Sequence, residues 1–405
     1  MGGGSKEVPA SSEGEEEMRG VQRRYDLDWI RIFVVLHLVP FHMLLAIREL
    51  GGGISRAVLT FPGIFASPWH MHIMFLISGA ATYYALRFRS IREYALNRLK
   101  RLFVPLLFCL VVIIPVHHFY WRFPPLSPIV EESHYRNFLI FYLKDYPGLL
   151  WANGTFFLGN LWFVYYLFIF SLICLPVFVY FEGEGGRRFA IRLADILERR
   201  GMIFALGVPL AVGVAILSMI QRSRKGWDIV HDLTNSFQYI SCFIYGYLIS
   251  SDERVWKAVE RQWKVSGVAL VVLNLILLVL GSRMGRVVVA GIRGFGSWLW
   301  ILLILGLGRG FLNFENRFLR YMREAFYPFF IIHQPVILAL GYYTQGWGVP
   351  VLIRALTVGV LTTVLTLLIY DLCVKRTNVT RFLFGLRPLS KASSPRSGFS
   401  SARNT

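Results

Sequence analysis

The sequence predicts an all-α fold, a polytopic helix bundle with about ten membrane-crossing helices. Three observations carry that prediction. Hydrophobic residues make up 55% of the 405 residues, charged residues only 17%, and the mean hydropathy is +0.52, far from the balance of a soluble domain. The apolar residues gather into runs of roughly 17–25, the length that a bilayer core demands. The basic residues sit in short stretches between those runs. The net charge of +19 therefore reads as membrane topology, and no nucleic-acid partner is expected.

The candidate spans are 26–48, 66–87, 101–120, 157–181, 201–220, 234–250, 265–282, 288–308, 322–343 and 350–373. The first carries Asp28, Arg31, His37 and His42 within an otherwise apolar run. The second opens Trp69-His70-Met71-His72 and continues to Ser78-Gly79-Ala80, small residues that allow close helix packing. The third follows Arg98 and Arg101 and contains Pro105. The fourth opens Leu161-Trp162-Phe163. The sixth is the least apolar, with Asn235, Ser236, Gln238 and Ser241. The ninth holds His333 and Gln334 between Pro328 and Pro335, and prolines open a helix that lines a polar cavity. The fifth, seventh, eighth and tenth are apolar runs of spanning length.

An even number of spans puts both termini on one side. The loops on that side hold most of the Lys and Arg, which orients them, and both termini, to the cytoplasm. Residues 1–23 and 388–405 read as disordered cytoplasmic head and tail, because Gly, Ser, Glu and Arg cannot bury a core. Residues 24–387 form the membrane domain. The long outer loop, 121–156, holds four prolines and is expected to fold over the outer face. It contains Asn153-Gly154-Thr155, a glycosylation triplet that matters only on a eukaryotic secretory route. The four cysteines fall within spans and form no metal-ligand spacing.

An ionisable group at membrane depth costs about 2.5–3.5 kcal/mol on insertion scales, which makes it a functional-site candidate. Eleven residues bring Arg31 and His42 onto one helix face, about 16 Å apart along the axis. Asp28 lies near the same stripe and His37 points away. A histidine near its ordinary pKa of about 6.5 can take a proton from a hydroxyl. Arg98 and Arg101 read either as topology signals or as a phosphate clamp, since guanidinium binds phosphate through paired hydrogen bonds. His70 and His72 diverge on a helix and are unsuited to sharing one metal. No metal site, Gly-rich phosphate loop or serine elbow is present in the pattern.

Leu27-Asp28-Trp29-Ile30-Arg31 with His42 eleven residues on resembles the membrane acyltransferase 3 family. Pro40-Phe41-His42, Met71 to Gly79, Arg98-x-x-Arg101 before Pro105, Leu161-Trp162-Phe163 and Phe329 to His333 are similar, in order, to the branch that acylates periplasmic glucans. The resemblance runs from about Arg24 to Arg387. It implies an integral membrane O-acyltransferase, in the plasma membrane, that moves an acetyl or succinyl group from acyl-CoA to a hydroxyl of an extracytoplasmic carbohydrate. Acyl-CoA would be a donor substrate, and no tightly bound cofactor is expected. Carried over by residue, His42 is the catalytic base, with Arg31 and Asp28 beside it. Arg98 and Arg101 meet the donor, and His333, Gln334, Ser78 and Trp162 line the cavity. Met74 departs from the pattern, where an aromatic is usual. The alternative reading is a transporter or flippase that uses the same cavity to move a polar substrate unchanged. A haem or metal protein using these histidines is a further rival.

Overall fold

The computed structural model describes residues 23–49 (side chains to 43), 69–121, 137–150, 158–221, 229, 232–344 and 346–389. The expected head, the tail beyond Leu389, most of the outer loop and the Asn153 triplet lie outside the described residues. No strand occurs among those described.

Each expected span corresponds to a helix or a bent pair of helices. In chain order they are α1 (Tyr25–Glu49), α2 (His70–Arg87), the pair α3 (Ile91–Val112) and α4 (Ile114–Tyr120), and the pair α5 (Gly159–Ile173) and α6 (Leu175–Glu182). After α7 (Glu184–Leu197) come α8 (Met202–Ile220), α9 (Leu233–Ser250), α10 (Glu253–Leu280) and α11 (Arg286–Phe311). The last are α12 (Arg317–Tyr343), α13 (Val351–Val374) and the short α14 (Asn378–Leu383). The bends are 44° between α3 and α4 and 46° between α5 and α6. Proline near the start of α4 and of α6 removes an N–H from the ladder at each break.

Length and hydropathy alone do not bring all ten expected crossings out of these helices. Five are long and apolar enough to cross a bilayer, or seven if each bent pair is one span, among the described residues. The shortfall has a physical reason. α2 carries His70 and His72, and α9 carries Asn235 and Gln238, which lower their hydropathy. Both helices bury much of their length inside the protein, where polar groups meet protein and not lipid. α1 runs into residues whose side chains are outside the description.

Helix starts follow local chemistry. Ser90 and Glu93 form a reciprocal capping box at α3, and Asp232, Asp252 and Asn316 accept the first free N–H groups of α9, α10 and α12. Contacts also sort the loops into two sets. At one end, Arg24 lies 4.0 Å from the Trp256 ring centroid, Trp29 donates to the Phe314 carbonyl at 3.0 Å, and Arg309 pairs with Glu253 and Glu260. Among the other loops, the Tyr120 and Tyr343 hydroxyls meet at 3.0 Å and Arg286 donates to the Gln221 carbonyl at 3.0 Å. These are the two groups of loops that the charge pattern separates.

Two constraints position the centre. First, α2 and α9 touch backbone to backbone. A Cβ added to Gly79 would lie 1.8 Å from the Phe243 carbonyl oxygen, and one added to Gly246 1.8 Å from that of Leu76. The small residues of the second span serve this contact. Second, Pro335 has no N–H for the Ile331 carbonyl four residues back. The buried Asn160, at the start of α5, donates to that oxygen at 3.0 Å and to the Phe330 carbonyl at 2.8 Å. A side chain from another helix thus restores what the proline removes, as membrane-depth backbone requires.

Gly79→Ala or Gly246→Ala should cost at least about 1–3 kcal/mol through overpacking, seen as a lower thermal midpoint in detergent. Gly310→Ala, with open space around it among the described residues, is the matched control and should shift little. Asn160→Leu should cost about 1–3 kcal/mol by orphaning the Ile331 carbonyl. An unchanged midpoint would show that this bond contributes nothing.

Candidate active site

The first-span face meets protein along its whole described length. Near its start, Arg31 Nη1 lies 3.6 Å from Asp28 Oδ1, one turn earlier, and Nη2 donates to the Ile77 carbonyl of α2 at 3.2 Å. Asp28 is shared with Arg23 at 3.4 Å and with Arg323 of α12 at 4.0 Å. The carboxylate therefore ties the start of α1 to α12 and holds Arg31 against α2. Eleven residues on, His42 packs against His333 of α12, with ring centroids 5.5 Å apart. Arg31 is thus turned to α2 and His42 to α12.

His333 is fully buried. Its Nδ1 lies 2.8 Å from the Phe330 carbonyl and 3.1 Å from that of Phe329. A carbonyl only accepts, so Nδ1 carries the proton, and the neutral ring presents a lone pair at Nε2. Nε2 has no partner among the described residues. Neighbouring Gln334 is also buried, with Oε1 unpartnered among them. Ring orientation at His333 depends on the same Phe330 carbonyl that Asn160 holds.

The other predicted histidines separate. His37 stacks on Trp69, centroids 5.3 Å apart, away from His333. His70 lies against Phe41 at 4.8 Å, close enough for its charge to act on His42. His72 packs on Tyr239 at 5.0 Å. Trp162 belongs to the same aromatic wall, stacked on Tyr239 at 5.4 Å. The Ser78 hydroxyl donates to the Met74 carbonyl of its own helix at 2.8 Å. Neither Trp162 nor Ser78 is brought against His42 or His333 by these contacts.

At the other end of the α1 face, Arg98 donates to the Thr82 hydroxyl at 2.9 Å and lies over the Tyr94 ring at 4.8 Å. It is close enough for its charge to act on Arg31. Arg98 caps and Arg101 lies within a π-helical turn, Leu99–Phe103, a form of helix that recurs at functional sites. The charged groups acting on Arg101 are Arg387, Arg89 and Arg98, all cations. Neither Arg98 nor Arg101 forms an ion pair among the described residues.

Two residues at the centre escape sequence reading. His117 of α4 is fully buried and within electrostatic reach of both His42 and His333. Gly159, at φ +53°, makes room for it, since a Cβ there would lie 3.3 Å from the imidazole. Asn160 is the next residue. One turn thus seats His117 and braces the His333 backbone. The sequence signal available for Asn160 is its place just before Leu161-Trp162-Phe163; for His117 it is a histidine in an apolar run. Among the described residues no three His, Cys, Asp or Glu side chains converge as metal ligands.

Comparison with known proteins gives the site a family. Residues 24–371 match an acyltransferase domain, that of the acyltransferase 3 family. The chain is 24% identical over 394 residues to a protein named glucans biosynthesis protein C from Salmonella schwarzengrund, covering 92% of this chain and 97% of the relative. The protein of that name from Salmonella typhi matches at the same identity and coverage. No solved structure matches. A match across most of the chain, over a bundle of apolar helices long enough to cross a membrane, makes this protein a member of the acyltransferase 3 family and an acyltransferase.

Proposed function

We propose that this protein transfers an acetyl or succinyl group from acyl-CoA to a hydroxyl of an extracytoplasmic carbohydrate, with His42 as general base. The observation that carries the reading is the packing of His42, on the Arg31 face of α1, against a histidine whose Nδ1 is held by backbone carbonyls. The relatives' printed name supports a glucan as acceptor. In the reaction, the acceptor oxygen attacks the thioester carbonyl while its proton passes to a nitrogen of His42. The tetrahedral centre collapses, the carbon–sulfur bond breaks, and the proton passes on to the leaving thiolate. The products are an ester and CoA thiol. His333 keeps the His42 ring in place, and Gln334, the next residue of α12, is buried with an amide oxygen unpartnered among the described residues. Arg31, fixed by Asp28 and the Ile77 carbonyl, supplies positive charge along the route. Ser78 and Trp162 belong to the wall around it.

Acyl-CoA enters as a substrate from the cytoplasmic side, where the loops rich in Lys and Arg sit, and no tightly bound cofactor takes part. Arg98 and Arg101, with no carboxylate partner among the described residues, are the donor clamp. Both termini are cytoplasmic, the membrane domain runs over 24–387, and the membrane is the plasma membrane.

The test is mass spectrometry of surface and secreted glycans from cells with and without the protein. Acyl mass increments should appear only with it, and their absence in both would overturn the carbohydrate assignment. His42→Ala should lower transfer by about 10²–10⁴-fold while the protein remains inserted, whereas His37→Ala should change it by less than about tenfold. Full transfer by His42→Ala would remove the base assignment. Arg98→Ala and Arg101→Ala should raise the KM for acyl-CoA by about tenfold with a smaller fall in kcat. A clamp on a remote part of the donor contributes equally to ground and transition states.

A further inference from the structure

The segment after the last long helix is built against the arginine pair. Arg381 of α14 is buried and paired with Glu324 of α12, and its Nε donates to the Arg387 carbonyl at 2.6 Å. The Leu389 N–H donates to Asn378 Oδ1 at 2.7 Å. Phe384 packs on Phe108 of α3, ring centroids 5.5 Å apart. Gly385 stands at φ +69°, and a Cβ on it would lie 2.7 Å from the Arg101 carbonyl oxygen and 3.1 Å from Pro105. Pro105 withholds the N–H that this carbonyl would take four residues on. The C-terminal strap, Asn378 to Arg387, therefore fits closely onto the backbone that carries Arg101.

This fit holds Arg387, exposed, where its charge acts on Arg101, together with Arg98 and Arg89. No ion pair is formed by Arg387 among the described residues. Loop topology alone requires cations on one side of the membrane. It does not require a glycine in left-handed conformation setting the segment that carries one arginine against the backbone of another. Like charges gathered without a counter-ion oppose each other, and an anion relieves that opposition.

We propose that Arg387, delivered by the strap, completes with Arg98 and Arg101 a site for the phosphates of the acyl-CoA donor, and that Arg387 takes the outermost one, the ribose 3′-phosphate. The inference rests on acyl-CoA being the donor. Arg98 is the inner member, since it bonds Thr82 and lies near Arg31, so it meets the diphosphate as the pantetheine arm runs on towards His42. Arg387 is the exposed member and faces the far end of the nucleotide.

The experiment measures calorimetric binding of CoA and of 3′-dephospho-CoA to the full-length protein in detergent. The native protein should bind CoA about tenfold more tightly, the worth of one charge-assisted phosphate contact. Arg387→Ala should lose most of that tenfold difference, weakening CoA while leaving 3′-dephospho-CoA within about twofold. Arg387→Lys should keep part of the preference. Gly385→Ala, which displaces the strap, should mimic Arg387→Ala. Unchanged CoA binding in Arg387→Ala overturns the proposal, as does equal weakening of both ligands. Loss of co-purifying anionic phospholipid with CoA binding intact also overturns it, by making the site a lipid site. If Arg98→Ala and Arg101→Ala weaken CoA while Arg387→Ala does not, only the strap's role falls. If none of the three weakens it, the donor assignment falls as well.

Discussion

A missing amide hydrogen at Pro335 governs the centre of this molecule. At membrane depth the Ile331 carbonyl has no water to turn to, and its helix offers it no donor. Asn160 reaches from α5 to supply one, and in doing so holds the Phe330 carbonyl as well. That second oxygen also receives His333 Nδ1–H. The proline, the asparagine and the histidine ring are thus one hydrogen-bonded unit, and His42 packs against it. Gly159 extends the unit to His117. Breaking the Asn160 contacts would loosen the backbone and the imidazole together, because they share an acceptor.

The Arg31 end is organised by charge instead. Asp28 lies within ion-pair distance of Arg23, Arg31 and Arg323, so one carboxylate must serve several guanidiniums. Further out no carboxylate compensates Arg98, Arg101 or Arg387 among the described residues. The balance of charge along the α1 face therefore runs from partly neutralised to uncompensated towards the end where the N-terminal segment and the strap meet.

Sequence patterning conveys the parts of this arrangement that are local. Arg31 and His42 on one stripe of a helix follow from helix periodicity alone, and the structure keeps that stripe inside the protein. The separation of His37 from His42, and of His70 from His72, follows in the same way. The loop sets follow from the distribution of Lys and Arg. What escapes is tertiary. Nothing near Asn160 in the chain indicates that its partner is a carbonyl freed by a proline 175 positions later in the numbering. Arg387 sits in a basic tail where its neighbours look alike, and only the left-handed Gly385 sets its position apart. The π-helical turn that begins after Arg98 and contains Arg101 is likewise invisible to a rule that assumes 3.6 residues per turn. The count of crossings is obscured for the opposite reason: α2 and α9 are inner helices, and the polar residues that make them central also make them poor by hydropathy.

The direct contact of α2 with α9 bears on how an acyl chain could travel. Gly79 and Gly246 leave no gap between those two backbones, and the Ile77 carbonyl that seats Arg31 lies within the same stretch of α2. The pair forms a stator. Arg31 hangs from it, so its charge stays in register whatever else shifts. Any widening along this face must come from the opposite wall, where α1 and α12 meet through rings and ion pairs that can slide or exchange partners.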